Sequence, residues 1–293
     1  MRAKSFVAEK QIAWATRRGI QLRPNLRAGE PLGEYRGQEY RTAYTAALDD
    51  NLFEQMSDGV RSDFAAGDGG ELAEKMLALY SSSALACNLF HHLKTHGLMD
   101  VAAMALGCAK PAVDIRFEQQ RPIMENPKSS GFRTNPNLDV VLDHGSGQAI
   151  RETAVECKFI EPYRDKTKGI KARYLETVTL WSELPICCEF AKKIGSDNDD
   201  RNHSHLHASQ LLKHLLGLCH RNGKSGFELV YLWYAAPGLD GSRHQAEIES
   251  FIKLVAQDGL KVRSVSVQEF VLNLWRSRTK IPELVDYLAD RYL

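Results

Sequence analysis

Apolar and polar positions alternate with two different periods along this chain, and the switches between them outline its elements. Residues 5–19 and 39–56 carry helical spacing. They are separated by 20–38, a stretch of Pro, Gly and charge that reads as a loop, and a second loop, SDGVRSDFAAGDGG, covers 57–70. Strong helix formers predict a long helix over 71–95 and a short one over 98–107. Past Pro111 the period falls to two: 112–123, 137–143 and 148–160 read as strands, the last two joined by HGSG at 144–147 as a hairpin. Helical patterns return at 172–194 and 204–221, split by the polar run GSDNDDRNHS. FELVYLWYAA, 227–236, is apolar throughout, as expected for a strand covered on both faces. A helix at 243–258, a strand at 261–267 and helices at 268–277 and 281–291 complete the order. The fold class is therefore α/β: helix, three strands, helices and a strand between residues 71 and 236, with additions at both ends.

Composition narrows the partners. At 293 residues the chain can bury a large core, and 43% hydrophobic with 26% charged residues is ordinary globular composition. A net charge of +1 announces no polyanionic partner, so any such binding must come from local patches. The N-terminus lacks the long apolar run of a signal peptide or membrane span. Six cysteines without a C-x-x-C pair read as buried thiols and point to a reducing cytoplasm.

The candidate chemistry lies on the hairpin. Glu156 and Lys158, two apart on a strand, share a face, and the partner strand can bring Asp139 beside Glu156. Carboxylates planted in apolar strands are costly unless paired or holding a metal, and a hard cation such as Mg²⁺ relieves the repulsion between two of them. Such a pair suits phosphodiester hydrolysis, with Lys158 orienting water or stabilising negative charge. The alternative is a structural ion pair at a sheet edge.

The pattern N-L-D(139) … V-E(156)-C-K(158) resembles the PD-(D/E)xK nuclease superfamily, of restriction-endonuclease-like fold, although the usual Pro before the Asp stands three positions back, at Pro136. SSSALACNLF (81–90) with VECKFIEPY (155–163) more closely resembles a bacterial family described as restriction endonucleases. The resemblance implies a nuclease core at 61–240, an N-terminal helical extension at 1–60 and a C-terminal α/β extension at 241–293. It implies catalytic Asp139, Glu156 and Lys158, with Mg²⁺ as cofactor and Mn²⁺ able to substitute. The substrate it implies is DNA, cut in restriction or phage defence. RNA remains open, as does a non-catalytic nucleic-acid- or partner-binding scaffold. A two-fold dimer is the default for cutting both strands.

Further ligands are expected from the first core helix and strand. Glu74, Ser81 and Asn88, seven apart, would form one polar stripe and favour Glu74 over Glu71, while Glu118 is a third candidate. The resemblance also suggests a role in orienting DNA or water for Gln210, with His214 one turn further on. Each has an ordinary surface reading beside it. The alternation of His203, His205 and His207 lacks the neighbours of a zinc site and reads as a solvated helix start. GSG at 145–147 lacks the frame of a serine elbow. Lys158, Arg164, Lys166, Lys168, Lys171 and Arg173, with Tyr163 and Tyr174 interleaved, directly follow the site strand and are placed to grip phosphates. The basic residues of 1–41 offer a second contact.

Overall fold

The computed structural model describes residues 2–24, 32–35, 38–40, 42–67, 70–132, 134–195 and 199–293, with side chains left out for 24–42. Arg27, Arg36 and Arg41 of the expected N-terminal basic contact lie outside that description. In chain order the elements are α1 (Ala3–Arg17), β1 (Leu22–Pro24), β2 (Leu32–Tyr35), β3 (Gln38–Tyr40), β4 (Thr42–Thr45), α2 (Asp58–Ala66), α3 (Ser82–Thr95), α4 (Met99–Leu106), β5 (Asp114–Gln120), β6 (Asn137–Asp143) and β7 (Glu152–Lys158). There follow α5 (Glu161–Arg164), α6 (Ala172–Glu176), α7 (Pro185–Lys193), α8 (Ala208–Asn222), β8 (Phe227–Trp233), α9 (Leu239–Val255), β9 (Val262–Ser266), α10 (Val267–Leu274) and α11 (Pro282–Tyr292).

The fold is mixed α/β. Its main sheet has the order β5-β6-β7-β8-β9. β5, β6 and β7 pair antiparallel, whereas β7–β8 and β8–β9 are parallel and need the crossovers that α5–α8 and α9 supply. Every residue of β7, the central strand, is buried. On one face Val155, Cys157, Val140 and Leu142 meet the apolar sides of α3, α4, α10 and α11; on the other Ala154, Val141, Leu229 and Tyr231 meet α7, α8 and α9. The two ends of the chain join the first layer, since Ala3 and Val7 of α1 and Leu284, Leu288 and Tyr292 of α11 belong to the same core.

Five expectations differ from the structure. The loop over 20–38 carries β1 and β2, so the expected helical extension at 1–60 holds four short strands besides α1. The long helix over 71–95 begins only at Ser82, because Ser81 caps it by accepting from the Ala84 N–H at 3.2 Å, and 71–81 runs through turns and a 3₁₀ stretch. The loop over 57–70 holds α2, whose Val60 and Phe64, four apart, are buried; Phe64 packs at 5.3 Å on Phe117 of β5. The helix over 39–56 is instead β3, β4 and a 3₁₀ turn at Asp49–Asn51; Thr42, Tyr44 and Thr45 are the residue types that favour extended backbone. The helix over 172–194 breaks into α6, a 3₁₀ turn and α7, which restarts at Pro185, a residue suited only to a first turn.

Candidate active site

Where β6 and β7 run out, their ladder ends at Val140–Val155, and the next residues, Asp139 and Glu156, turn their carboxylates into a cavity. Asp139 uses one oxygen, Oδ2, to accept the Cys157 N–H at 2.7 Å, so the strand connection continues through a side chain. On the other side of β6, β5 pairs Phe117 with Val140 and Gln119 with Leu138, which leaves Glu118 opposite Asp139. Glu118 adopts φ +49°, the left-handed region that an L-residue in a strand enters only under constraint. Gly67 lies against it: a Cβ there would come within 3.2 Å of the Glu118 carboxylate.

The cavity, about 430 Å³, is lined by Glu71, Glu118, Asp139 and Glu156, by Lys158 and Gln210, and by the serines that start α3. Glu156 is wholly buried. Its Oε1 lies 2.6 Å from Lys158 Nζ and its Oε2 2.9 Å from His214 Nε2. Neither contact has hydrogen-bond alignment, so both Glu156 oxygens and both His214 nitrogens lack a hydrogen-bond partner. Asn137, two residues before Asp139 and on the same side of the strand, donates to Glu118 Oε2 through its amide, leaving its own Oδ1 unpartnered. Glu71 is held by Ser83 Oγ at 2.7 Å and Lys75 Nζ at 2.9 Å.

Electrostatics divide the carboxyls. Burial pushes Glu118 up to about 8, aided by Glu71 and opposed by the Asn137 amide. Burial, then Glu156 and Glu118, hold the Asp139 carboxyl well above its usual range. Burial pushes Glu156 upward too, but Lys158 and His214 outweigh it and hold the carboxyl down to about 2. Burial works against the Lys158 charge, but the facing Glu156 and Asp139 outweigh it, so this ammonium holds its proton more firmly than a free lysine.

The carboxylates of Glu71, Glu118, Asp139 and Glu156 around one cavity suit a hard divalent cation, which takes carboxylate and carbonyl oxygens. The expected Asp139, Glu156, Lys158, Glu118 and Gln210 all line this one cavity. Glu74 is not among its lining residues; its Oε1 lies 3.7 Å from Arg23, while Glu71 is on the wall. The preference of Glu74 over Glu71 therefore reverses: with α3 starting at Ser82, a seven-residue spacing from Glu74 makes no stripe. Asn88 serves the core instead, accepting from the Phe53 N–H at 2.7 Å and donating to Asn51 and Tyr292. The histidines of 203–207 do not cluster on a metal: His203 pairs with Asp200 at 2.7 Å and His205 donates to the Pro162 carbonyl at 2.8 Å. The contact of His214 with Glu156 was signalled only by its four-residue spacing from Gln210, and nothing in the sequence signalled Glu161, which accepts the Phe159 N–H at 2.9 Å.

A larger groove of about 990 Å³ adjoins the cavity and shares Asn137, Arg164 and Gln210 with it. Its walls carry Lys4, Arg164, Lys166, Lys168 and Lys213, against one acidic residue, Asp165. Lys4 comes from α1 and Lys213 from α8, so the basic segment after β7 is extended by two elements distant in sequence. Among the described residues no helix is long and apolar enough to cross a membrane.

No curated protein and no solved structure matches the chain. One family model does, over residues 13–293, a span that includes every wall of the acidic cavity and all of the basic groove except Lys4. On that match the chain belongs to the family described as restriction endonuclease associating with ARP.

Proposed function

We propose that this chain is a divalent-metal-dependent endodeoxyribonuclease whose ion is held by Asp139 and Glu156, with Glu118 and Glu71 as the nearest further carboxylates. The observation that carries the reading is Glu156: a fully buried carboxylate paired with Lys158 and His214 and facing Asp139 across one cavity. The order α3, β5, β6, β7, α8, β8 supports it, being the order of a restriction-endonuclease-like core. Family membership supports a nuclease role and DNA as the substrate.

The residues divide the work. Lys158, firmly protonated, acts as a fixed cation that stabilises negative charge developing on a scissile phosphate, not as a general base. Glu156 holds Lys158 in place at 2.6 Å, and His214 braces the other oxygen of the same carboxylate. The Cys157 N–H fixes the Asp139 carboxylate. Gln210 and Arg164, on the wall between cavity and groove, are placed to orient the phosphodiester as it passes from one to the other. A bound divalent cation would supply Lewis-acid stabilisation of the phosphate and a more acidic water.

Purified protein incubated with plasmid and linear DNA should cut in Mg²⁺ or Mn²⁺ and not in EDTA. Asp139→Ala and Lys158→Ala should each lower the rate by about 10²-fold or more. Cutting that persists in both variants would show that the site is elsewhere. A folded wild type that cuts neither DNA nor RNA under any of these ions would overturn the nuclease reading.

A further inference from the structure

At the far end of α3 from the acidic cavity lies a different set of donors. His92 and His96, four apart, sit on one face of the helix, their rings stacked with centroids 4.0 Å apart. Glu54, from the segment before α2, faces them, and its Oε2 lies 2.8 Å from His92 Nδ1. One donor atom from each of Glu54, His92 and His96 can be chosen so that all three lie within 4.8 Å of one another. We propose that these three residues form a second metal site, taking a borderline transition ion such as Zn²⁺, Co²⁺ or Ni²⁺.

The donor set selects the ion. Two imidazoles and one carboxylate suit zinc and its neighbours, whereas Mg²⁺ asks for oxygen ligands in near-octahedral order. His96 Nδ1 lies 3.0 Å from the His92 carbonyl. A carbonyl only accepts, so that nitrogen carries the proton and Nε2 keeps its lone pair for a ligand.

The supporting shell is in place. The Ser57 N–H donates to His91 Nε2 at 3.1 Å, so His91 carries its proton on Nδ1, 3.1 Å from Glu54 Oε1. Burial keeps that ring neutral. Thr95 Oγ1 donates to the same Glu54 oxygen at 3.3 Å. Glu54 Oε1 is thus anchored, and Oε2 is turned toward His92. The loop that carries Glu54 is itself fixed to α3, since Asn88 holds the Phe53 N–H and the Phe53 ring packs edge-on against His92 at 5.3 Å. Ligands positioned by outer hydrogen bonds are the usual construction of a metal centre. His96 is exposed, so solvent can complete the coordination. Ser82 and His92 are ten positions apart, which at helical rise puts the site about 15 Å along α3 from the cavity wall. The proposal therefore does not depend on the nuclease reading.

Untagged protein in excess Mg²⁺, titrated with Zn²⁺ by calorimetry and with Co²⁺ by visible absorption, tests it. Wild type and Asp139→Ala should each bind one ion per chain, with ligand-field bands for Co²⁺. His96→Ala, at an exposed position that puts folding at little risk, and Glu54→Gln should each weaken binding by about tenfold or more. His220→Ala, at an exposed histidine on α8, should change nothing. The site is wrong if wild type binds no Zn²⁺, or if His96→Ala and Glu54→Gln bind as tightly as wild type. It is also wrong if Asp139→Ala abolishes binding, which moves the ion to the acidic cavity, or if His220→Ala weakens it as much as His96→Ala does, which makes it surface adsorption.

Discussion

Glu71, Glu118, Asp139 and Glu156 cannot all ionise around one cavity without cations to share, and two of them have a lysine directly against them: Glu156 has Lys158 and Glu71 has Lys75. Glu118 and Asp139 divide the strain by holding protons, Glu118 until about pH 8. Two consequences have opposite signs. For the metal-free protein, a carboxyl raised from 4.5 to about 8 contributes stability that is complete below pH 4.5 and is lost as the pH rises through about 8. Melting temperature in EDTA should therefore fall across that window. Metal binding needs the ionised form, so Mg²⁺ affinity should rise over the same window, by up to about tenfold per pH unit for each proton released. Calorimetric Mg²⁺ titrations in two buffers of different ionisation enthalpy measure both the affinity and the protons. An affinity that is flat or falls with pH would mean that Glu118 and Asp139 do not compete with the ion for their protons.

How legible each element was depends on which forces set its ends. β6 and β7 were plain in the sequence because their apolar residues are flanked by turn signals, and the two-residue period put Glu156 and Lys158 on the same side without help from the rest of the fold. α3 was misjudged at its start, since residues 71–81 are good helix formers and only the Ser81 cap, a tertiary choice, ends their claim. That error carried Glu74 into the site in place of Glu71. α8 was read to within one residue at its end and four at its start, yet its docking was invisible. Gly217, in its interior, sits where an added Cβ would meet the Arg121 carbonyl at 2.5 Å and the Arg121 Cβ at 2.8 Å. Arg121 cannot yield readily, because its guanidinium is buried against Glu152, with Nη2 and Nε at 2.8 and 3.2 Å from the two carboxylate oxygens. Replacing Gly by Ala in a helix gains at most about 1 kcal/mol, while overpacking against fixed backbone costs roughly 1–3 kcal/mol. Gly217→Ala should lower stability by about 1–2 kcal/mol in denaturant titration. Because α8 carries Gln210 and His214, the variant should also lose cutting activity at a temperature where it remains folded. A Gly217→Ala protein as stable and as active as wild type would show that α8 does not need this close approach.

Across the whole molecule, a net charge of +1 conceals a separation of signs that the fold creates: carboxyls collect in the cavity and cations in the groove beside it. The sequence showed the basic run after β7 but not that Lys4 and Lys213 join it, because only packing brings α1 and α8 to the same groove. Lys213 is the most informative of the set. Its ammonium is pushed below the usual lysine range by burial and then by Lys171 and Lys168, so like charges crowd it. Its Nζ also stands 5.6 Å from the centroid of the Tyr174 ring. A phosphate in the groove would relieve that crowding, releasing a counterion for each contact made. Binding of duplex DNA in EDTA, where cutting is off, should therefore weaken steeply with salt. Lys213→Ala should lower affinity at low salt and reduce the slope of log K against log [salt] by about one. Arg164→Ala should do the same to binding but also slow cutting at saturating DNA, because Arg164 belongs to both cavities. If Lys213→Ala leaves the salt slope unchanged, the substrate backbone does not run through this groove, and the acidic cavity would have to be reached from the opposite side, past Tyr44 and the serines that begin α3.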